Sequence, residues 1–190
     1  MSGAEARTGA PGQLYRDLAS APEAAAALYV EVTARRALVL NLSWTHSSFA
    51  DLVLAHGRWY APAPWPGGPR RPGRCFEAAH AWADARGWTY CEGYALAADP
   101  RIGAFEHAWC LTRAGQVADP AARDCEVRVY AGVPLTDTFR RAQGRGPDAV
   151  LTFGHDIVRV QPNRAVLRDG LPPHALAPAV VPGPCPREEK

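Results

Sequence analysis

Apolar and polar positions follow two rhythms along this chain, and the change comes near residue 75. Before it, residues 13–38 (QLYRDLASAPEAAAALYVEVTARRAL) are alanine-rich with helical spacing, interrupted near Pro22. A second apolar-periodic stretch occupies 39–60 and predicts a helix from Ser47 to His56, with Ser47 or Ser48 as its N-cap. Residues 61–74 (APAPWPGGPRRPGR) hold five prolines and three glycines and permit only a loop. That loop is long for a compact domain, and long ordered loops often carry function.

From Cys75 onward the elements shorten and turn β-like. CFEAAHAWADARG (75–87) predicts a helix closed by Gly87. WTYCEGYALA (88–97), aromatic and alternating, predicts a strand. FEHAWCLTRAGQVADP (105–120) predicts a hairpin turning at Arg113-Ala114-Gly115. EVRVY (126–130) adds a strand, LTDTFRRAQ (135–143) a helix capped by Thr136, and AVLTFGHDIVRV (149–160) a further strand or a helix end. Residues 1–12 read as a flexible start, 13–161 as a single domain, and 162–190 as a proline-rich irregular tail. Helices first, then one helix, then antiparallel strands is an α+β order.

Composition narrows the classes. Hydrophobic residues make up 47% of the 190, which predicts a folded domain with a real core. A formal charge of +2 argues against nucleic acid or an anionic membrane surface as partner. No apolar run reaches the roughly 18 residues that span a bilayer. The opening MSGAEARTGAPGQ lacks the basic start and apolar core of a secretory signal. Five cysteines, an odd number in a chain of this size, fit a reduced, cytoplasmic setting, with thiols as core residues or as chemistry.

The hairpin holds the first candidate chemistry. With a three-residue loop ending in a left-handed Gly115, Thr112 pairs with Gln116 and Trp109 with Asp119. His107 then shares a face with Asp119 and lies diagonal to it, within reach of a His–Asp hydrogen bond. A two- or four-residue loop would place Asp119 on the wrong face. An aspartate beside a histidine sets its tautomer and stabilises the imidazolium, and the natural third partner is a nucleophile. Cys75 begins a helix directly after the proline-rich loop, and a helix N-terminus favours a thiolate. Cys75, Ala79 and Trp82 share a helical face, which turns the thiol toward the sheet. Each residue alone has an ordinary reading: a small buried cysteine, a satisfied core histidine, an aspartate that starts a turn. The joint order of helix-start cysteine, strand histidine and next-strand aspartate is what points to acyl transfer.

The stretch GRCFEAAHAWADARGW…CEGYALA…EHAWCLTRAGQVADPA resembles the transglutaminase-like core of the papain-like superfamily. The matching features are Gly73 to Cys75 at the helix start, Ala78 and Ala79 after it, and Arg86-Gly87 at its close. Gly93-Tyr94, His107 to Trp109, and Val117 to Pro120 follow in the same order. The resemblance covers about residues 73 to 120. It implies a catalytic helix packed on an antiparallel sheet, with Cys75 as nucleophile, His107 as base and acid, and Asp119 as the residue that orients it. It also implies a peptide, protein or small acyl substrate, and no metal or organic cofactor. This chain departs from the pattern in having only 32 residues from Cys75 to His107, and Ala121 where threonine is common after Asp-Pro. No familiar oxyanion donor precedes Cys75; Trp65 or the Cys75 N–H is the candidate.

Two function classes follow. One is a cysteine-dependent acyl transfer on an amide or thioester, resolved by water or by an amine. The other is an inactive module that binds a peptide or small partner in an aromatic cleft. Trp44, Trp59, Trp65, Trp88, Tyr90 and Tyr94 are available to shape an apolar pocket, half or more of them as plain core. Trp65, Tyr94 and Trp109 are the candidate substrate contacts. Zinc is disfavoured, because the spacings 16, 16, 3 and 15 among Cys75, Cys91, His107, Cys110 and Cys125 match no common knuckle. His80 is expected exposed or at the helix flank, Glu92 at the surface rather than lining the cleft, Glu106 at the surface, and Glu77 in the first helical turn. The His155-Asp156 neighbours of FGHDI point to opposite faces if that stretch is a strand. No phosphate-binding glycine loop or dinucleotide fingerprint occurs.

Overall fold

Three long apolar segments, Thr89–Ala97 (β2), Ala104–Leu111 (β3) and Val127–Leu135 (β5), form the centre of an antiparallel sheet. The computed structural model describes residues 12–36, 43–143, 148–152 and 163–179. Two short strands complete the sheet, Arg58–Tyr60 (β1) beside β5 and Val117–Ala118 (β4) beside β3, giving the order β1-β5-β2-β3-β4. The described residues are therefore α+β, with five antiparallel strands and helices outside them. β1 left no trace in the hydrophobic pattern because three residues are too few to show a period.

The helices run Gln13–Arg16 (α1), Ala25–Arg36 (α2), Phe49–His56 (α3), Cys75–Arg86 (α4), Asp137–Ala142 (α5) and Arg164–Asp169 (α6). Pro22 breaks the first helical stretch as expected: its carbonyl accepts from the Ala25 amide at 2.8 Å and starts α2. Ser48, not Ser47, caps α3 by accepting from Asp51 N at 3.1 Å, and Thr136 caps α5. Gly87 closes α4 at φ 61°, a conformation that costs a glycine little. No helix among the described residues is long and apolar enough to cross a membrane.

The sheet separates two apolar clusters. Tyr90, Tyr94, Ala108, Cys110, Ala131 and Val133 face α2, α3 and α4 and form the larger core. Cys91, Ala95, Trp109, Tyr130 and Val127 make a second cluster on the opposite face, closed by Tyr60 and Phe105. Because both faces are covered, every residue of β2 from Tyr90 to Ala97 is buried. Gly93 and Gly132 pair at its middle, and a Cβ on Gly132 would run into the Trp109 ring, so glycine there makes room for the indole.

Double coverage corrects two expectations. Glu92 is 0% exposed and not at the surface. Its carboxylate accepts from the amides of Val150, Leu151 and Thr152, from Thr152 Oγ1 at 2.9 Å and from Tyr90 OH at 3.0 Å. Burial raises its pKa, and the Thr152 and Val150 amides with the Thr152 and Tyr90 hydroxyls pull against that rise. His80 is also buried, at the inner flank of α4, stacked on Tyr90 with ring centroids 4.4 Å apart. It bonds Asp148 O and lies 2.8 Å from Arg140 Nη1, a guanidinium that also pairs with Asp84 and Asp137. Alternation alone had no means of showing that a polar position would be roofed by another segment.

The C-terminal expectations divide. Residues 149–152 form neither strand nor helix, but bends tied to Glu92, while 153–160, with His155 and Asp156, lie outside the described residues. The stretch from 162 is not wholly irregular: Asn163 caps α6, which buries Val166 and Leu167. Carbonyls of Leu167 and Arg168 accept from His46 and Thr45 ahead of α3, so this short helix belongs to the helical layer.

Glu92→Ala would leave three buried amides unpaired. The expected loss is about 3–5 kcal/mol, with Glu92→Gln milder because one carbonyl oxygen still accepts. Urea unfolding checks it, and a loss under about 1 kcal/mol would mean that segment 148–152 is held by other contacts.

Candidate active site

Gly115 adopts φ 77°, and Thr112 N donates to Gln116 O at 2.9 Å, which closes the three-residue loop expected from the sequence. β4 pairs Ala118 with Cys110 and Val117 with Leu111, so Asp119 falls diagonal to His107. Asp119 Oδ2 lies 2.7 Å from His107 Nε2. A carboxylate only accepts, so Nε2 carries the proton and Nδ1 remains for the third partner.

Asp119 also starts a turn. Its Oδ1 accepts from the Ala121 and Ala122 amides, each at 2.9 Å, while Oδ2 accepts a second bond from Tyr130 OH at 2.9 Å. Turn and pairing thus use the two oxygens of one carboxylate. Burial opposes its ionisation, but the His107 charge and these donors hold its pKa below the usual carboxylate range. Tyr130 had no signal in the sequence, because it reaches Asp119 from β5 across the sheet interior.

His107 is held on the Trp109 face of the sheet. Its ring stacks near Trp109 and Tyr130, both with centroids at 6.2 Å, and meets the edge of Phe105 at 5.3 Å. Cys75 belongs to the cluster on the opposite face, where α4 packs and where Cys110 Sγ donates to Ala79 O at 3.2 Å. β4 covers β3 only at Cys110 and Leu111, so the side of β3 next to His107 is left free of a paired strand. Cys75, at the start of α4, is close enough to act on the imidazole. Burial by itself would lower the His107 pKa; the Asp119 charge and hydrogen bond, with the Cys75 sulfur, outweigh it and raise the value to about 9.

The proline-rich loop leads directly into Cys75 at the start of α4. Trp65 wedges against Trp82 and Trp88, with centroids 5.1 and 6.1 Å away. Arg70 pairs with Asp124, and Arg71 N donates to Pro120 O at 2.7 Å, one residue beyond the aspartate. Arg71 and Arg74 both reach Glu77 in the first turn of α4, at 3.1 and 3.0 Å. No side chain caps this helix end. Prolines reduce what the loop loses in entropy when it is fixed.

The candidate substrate contacts fall in three different places. Trp65 lines a cleft of about 260 Å³ beside Asp119, but its indole N–H is taken by Gly68 O, so it does not stand free as an oxyanion donor. Trp109 is fully buried and backs the His107 ring. Tyr94 points to the helical face, against Phe49 at 5.3 Å and under Arg35 at 5.7 Å, away from His107. It is a core residue, placed there by the two-residue period of β2, in which its neighbour Gly93 pairs with His107. Glu106 is exposed as expected. Among the described residues no group of three or more His, Cys, Asp or Glu side chains is arranged to hold a metal ion.

No protein-family model, no curated protein and no solved structure matches this chain. What the site can do rests on its own geometry: an imidazole bonded to a buried carboxylate, its pKa raised by that carboxylate and by the Cys75 sulfur.

The His107 pKa lies above its ordinary value near 6.5, so the pair's contribution to stability is complete below pH 6.5 and fades as pH rises through about 9. Asp119→Asn should bring the His107 titration below 6.5, since burial then acts without the carboxylate, and should flatten stability between pH 6.5 and 9. Ring-nitrogen NMR titration reads the first and melts across that range the second. A wild-type His107 titrating near 6.5 would contradict the buried ion pair.

Proposed function

We propose that the chain is a thiol enzyme of transglutaminase-like, papain-related architecture that transfers acyl groups from an amide or thioester. The observation that carries this reading is the 2.7 Å His107–Asp119 pair, with the helix-start Cys75 near enough to act on the same imidazole. Asp119 fixes the Nε2–H tautomer, leaving Nδ1 to exchange a proton with sulfur. The motif resemblance over residues 73 to 120 supports the same roles, and so does the antiparallel sheet beside a cysteine-bearing helix.

The chemistry runs through two balanced steps. Cys75 sulfur, as thiolate, forms a bond to the acyl carbonyl carbon. As the tetrahedral adduct collapses, the bond to the amine or thiol leaving group breaks and that group takes the Nδ1 proton of His107. The acyl-thioester on Cys75 is then attacked by water or an amine, which gives its proton to Nδ1, and the thiolate leaves. Water makes the enzyme a peptidase or amidase; an amine makes it a transferase. The Cys75 N–H at the uncapped start of α4 is the candidate donor to the oxyanion. Neither step calls for a metal or an organic cofactor. The described cysteines are unpaired, in keeping with a reduced, cytoplasmic setting.

The test is selective alkylation. At slightly acidic pH, iodoacetamide should label Cys75 before the exposed Cys125 and before Cys110, whose thiol burial pushes up to about 12. Intact-mass spectra after incubation with peptide amides and acyl thioesters should show one acyl adduct, absent in Cys75→Ala, and turnover in that variant should fall by roughly 10³-fold or more with the melting curve preserved. Labelling that simply follows exposure, or turnover unchanged in Cys75→Ala, would falsify the assignment.

A further inference from the structure

One cleft lies outside the three aligned side chains yet shares a wall with them. It opens between the proline-rich loop and the turn after β4, with Pro62, Pro64, Trp65, Val127 and Tyr130 as apolar walls and Asp119 at its inner side. Its volume of about 260 Å³ is below the roughly 300–1,000 Å³ of pockets that take whole drug-sized ligands. One large side chain fits; an organic cofactor does not.

The charges in the cleft are already paired. Arg70 Nη2 donates to Asp124 Oδ1, Arg123 lies 3.9 Å from Glu126, and Asp119 is bound to His107 and Tyr130. No surplus cation is left to select an acidic ligand. Among the described residues that line the cleft, one buried side-chain atom is unsatisfied: Arg70 Nε has no hydrogen-bond acceptor, while its guanidinium sits 5.9 Å from the centre of the Trp65 ring. A buried donor without an acceptor carries a desolvation cost, which is removed when the partly exposed Arg70 side chain shifts to bring Nε onto an acceptor in the cleft. The ligand that answers both features has an apolar side chain and, next to it, a neutral carbonyl oxygen.

We infer that this cleft is a specificity subsite that takes an apolar residue of a peptide substrate, leucine- or phenylalanine-like, with the main-chain carbonyl of that residue accepting from Arg70 Nε. The inference rests on the acyl-transfer reading and deepens it, because it makes the acyl donor a peptide. Tyr130 links the two sites: its ring walls the cleft, and its hydroxyl bonds the Asp119 oxygen that holds His107. Occupancy of the cleft therefore presses on the same tyrosine that positions the base.

The test uses the intact chain and acetylated Gly-X-Gly amides, with X as Leu, Phe, Asp or Lys. Binding is followed by the NMR signals of the Trp65 indole N–H and the Arg70 Nε–H. The Leu and Phe peptides should move both signals and bind at least tenfold more tightly than the Asp and Lys peptides. Arg70→Lys, which keeps a cation for Asp124 but lacks the Nε–H, should weaken the Leu peptide about tenfold. Ala63→Phe, which narrows the cleft from the loop side, should give a comparable loss. Equal affinity for all four peptides, or shifts confined to other residues, overturns the subsite. Iodoacetamide labelling of the wild-type chain in parallel separates the two readings. Selective labelling of Cys75 without discrimination among peptides removes the subsite and leaves the thiol chemistry. Discrimination without selective labelling keeps the cleft as a peptide site and removes the enzyme.

Discussion

A single charged hydrogen bond, from His107 Nε2 to Asp119, organises the centre of this protein. Burying an imidazole and a carboxylate separately would be costly, and each would shift its pKa to become neutral. Burying them 2.7 Å apart, with three further donors on the carboxylate, keeps both ionised. The constraint extends outward. The hairpin loop has to be three residues long, Gly115 has to take its left-handed conformation, and the strand after it has to stop at Ala118 so that Asp119 is free to turn.

That early stop has a second effect. A longer β4 would cover the outer side of β3 beside His107. With β4 only two residues long, that side of β3 stays open, and Cys75 at the start of α4 is near enough to act on the imidazole. The proline-rich loop then works as a strut and not as slack. Its tryptophan is wedged between α4 and Trp88, and its arginines are tied to Asp124, Pro120 and Glu77. The backbone that carries the thiol and the backbone that carries the carboxylate are fastened to each other at Arg71 and Pro120.

A second buried network supports the opposite face. Glu92, Tyr90, His80 and Arg140 join β2, α4, α5 and segment 148–152 through polar contacts in an otherwise apolar layer. Such networks are expensive when incomplete and selective when complete. Here the carboxylate of Glu92 satisfies three consecutive amides that no strand or helix would pair. This explains why a non-repetitive segment packs tightly against the central strand.

Local chemistry was enough to find the helix that starts at Cys75, its close at Gly87, the hairpin loop, the diagonal His107–Asp119 placement and the caps at Ser48 and Thr136, because each depends on residues within about a dozen positions. The burial of Glu92 and His80, the turning of Tyr94 into the helical core, the hydroxyl of Tyr130 on Asp119 and the helix after Asn163 were not legible there. Each depends on which distant segment covers a surface, and a two- or three-residue period describes faces without naming what lies on them. The sequence by itself determined the order of elements and the register that aligns imidazole with carboxylate, since turn geometry is local. Only the tertiary structure decided that a tyrosine from β5 would bond the aspartate of that pair and that a roofed glutamate would hold segment 148–152, since both require surfaces far apart along the chain to exclude water together.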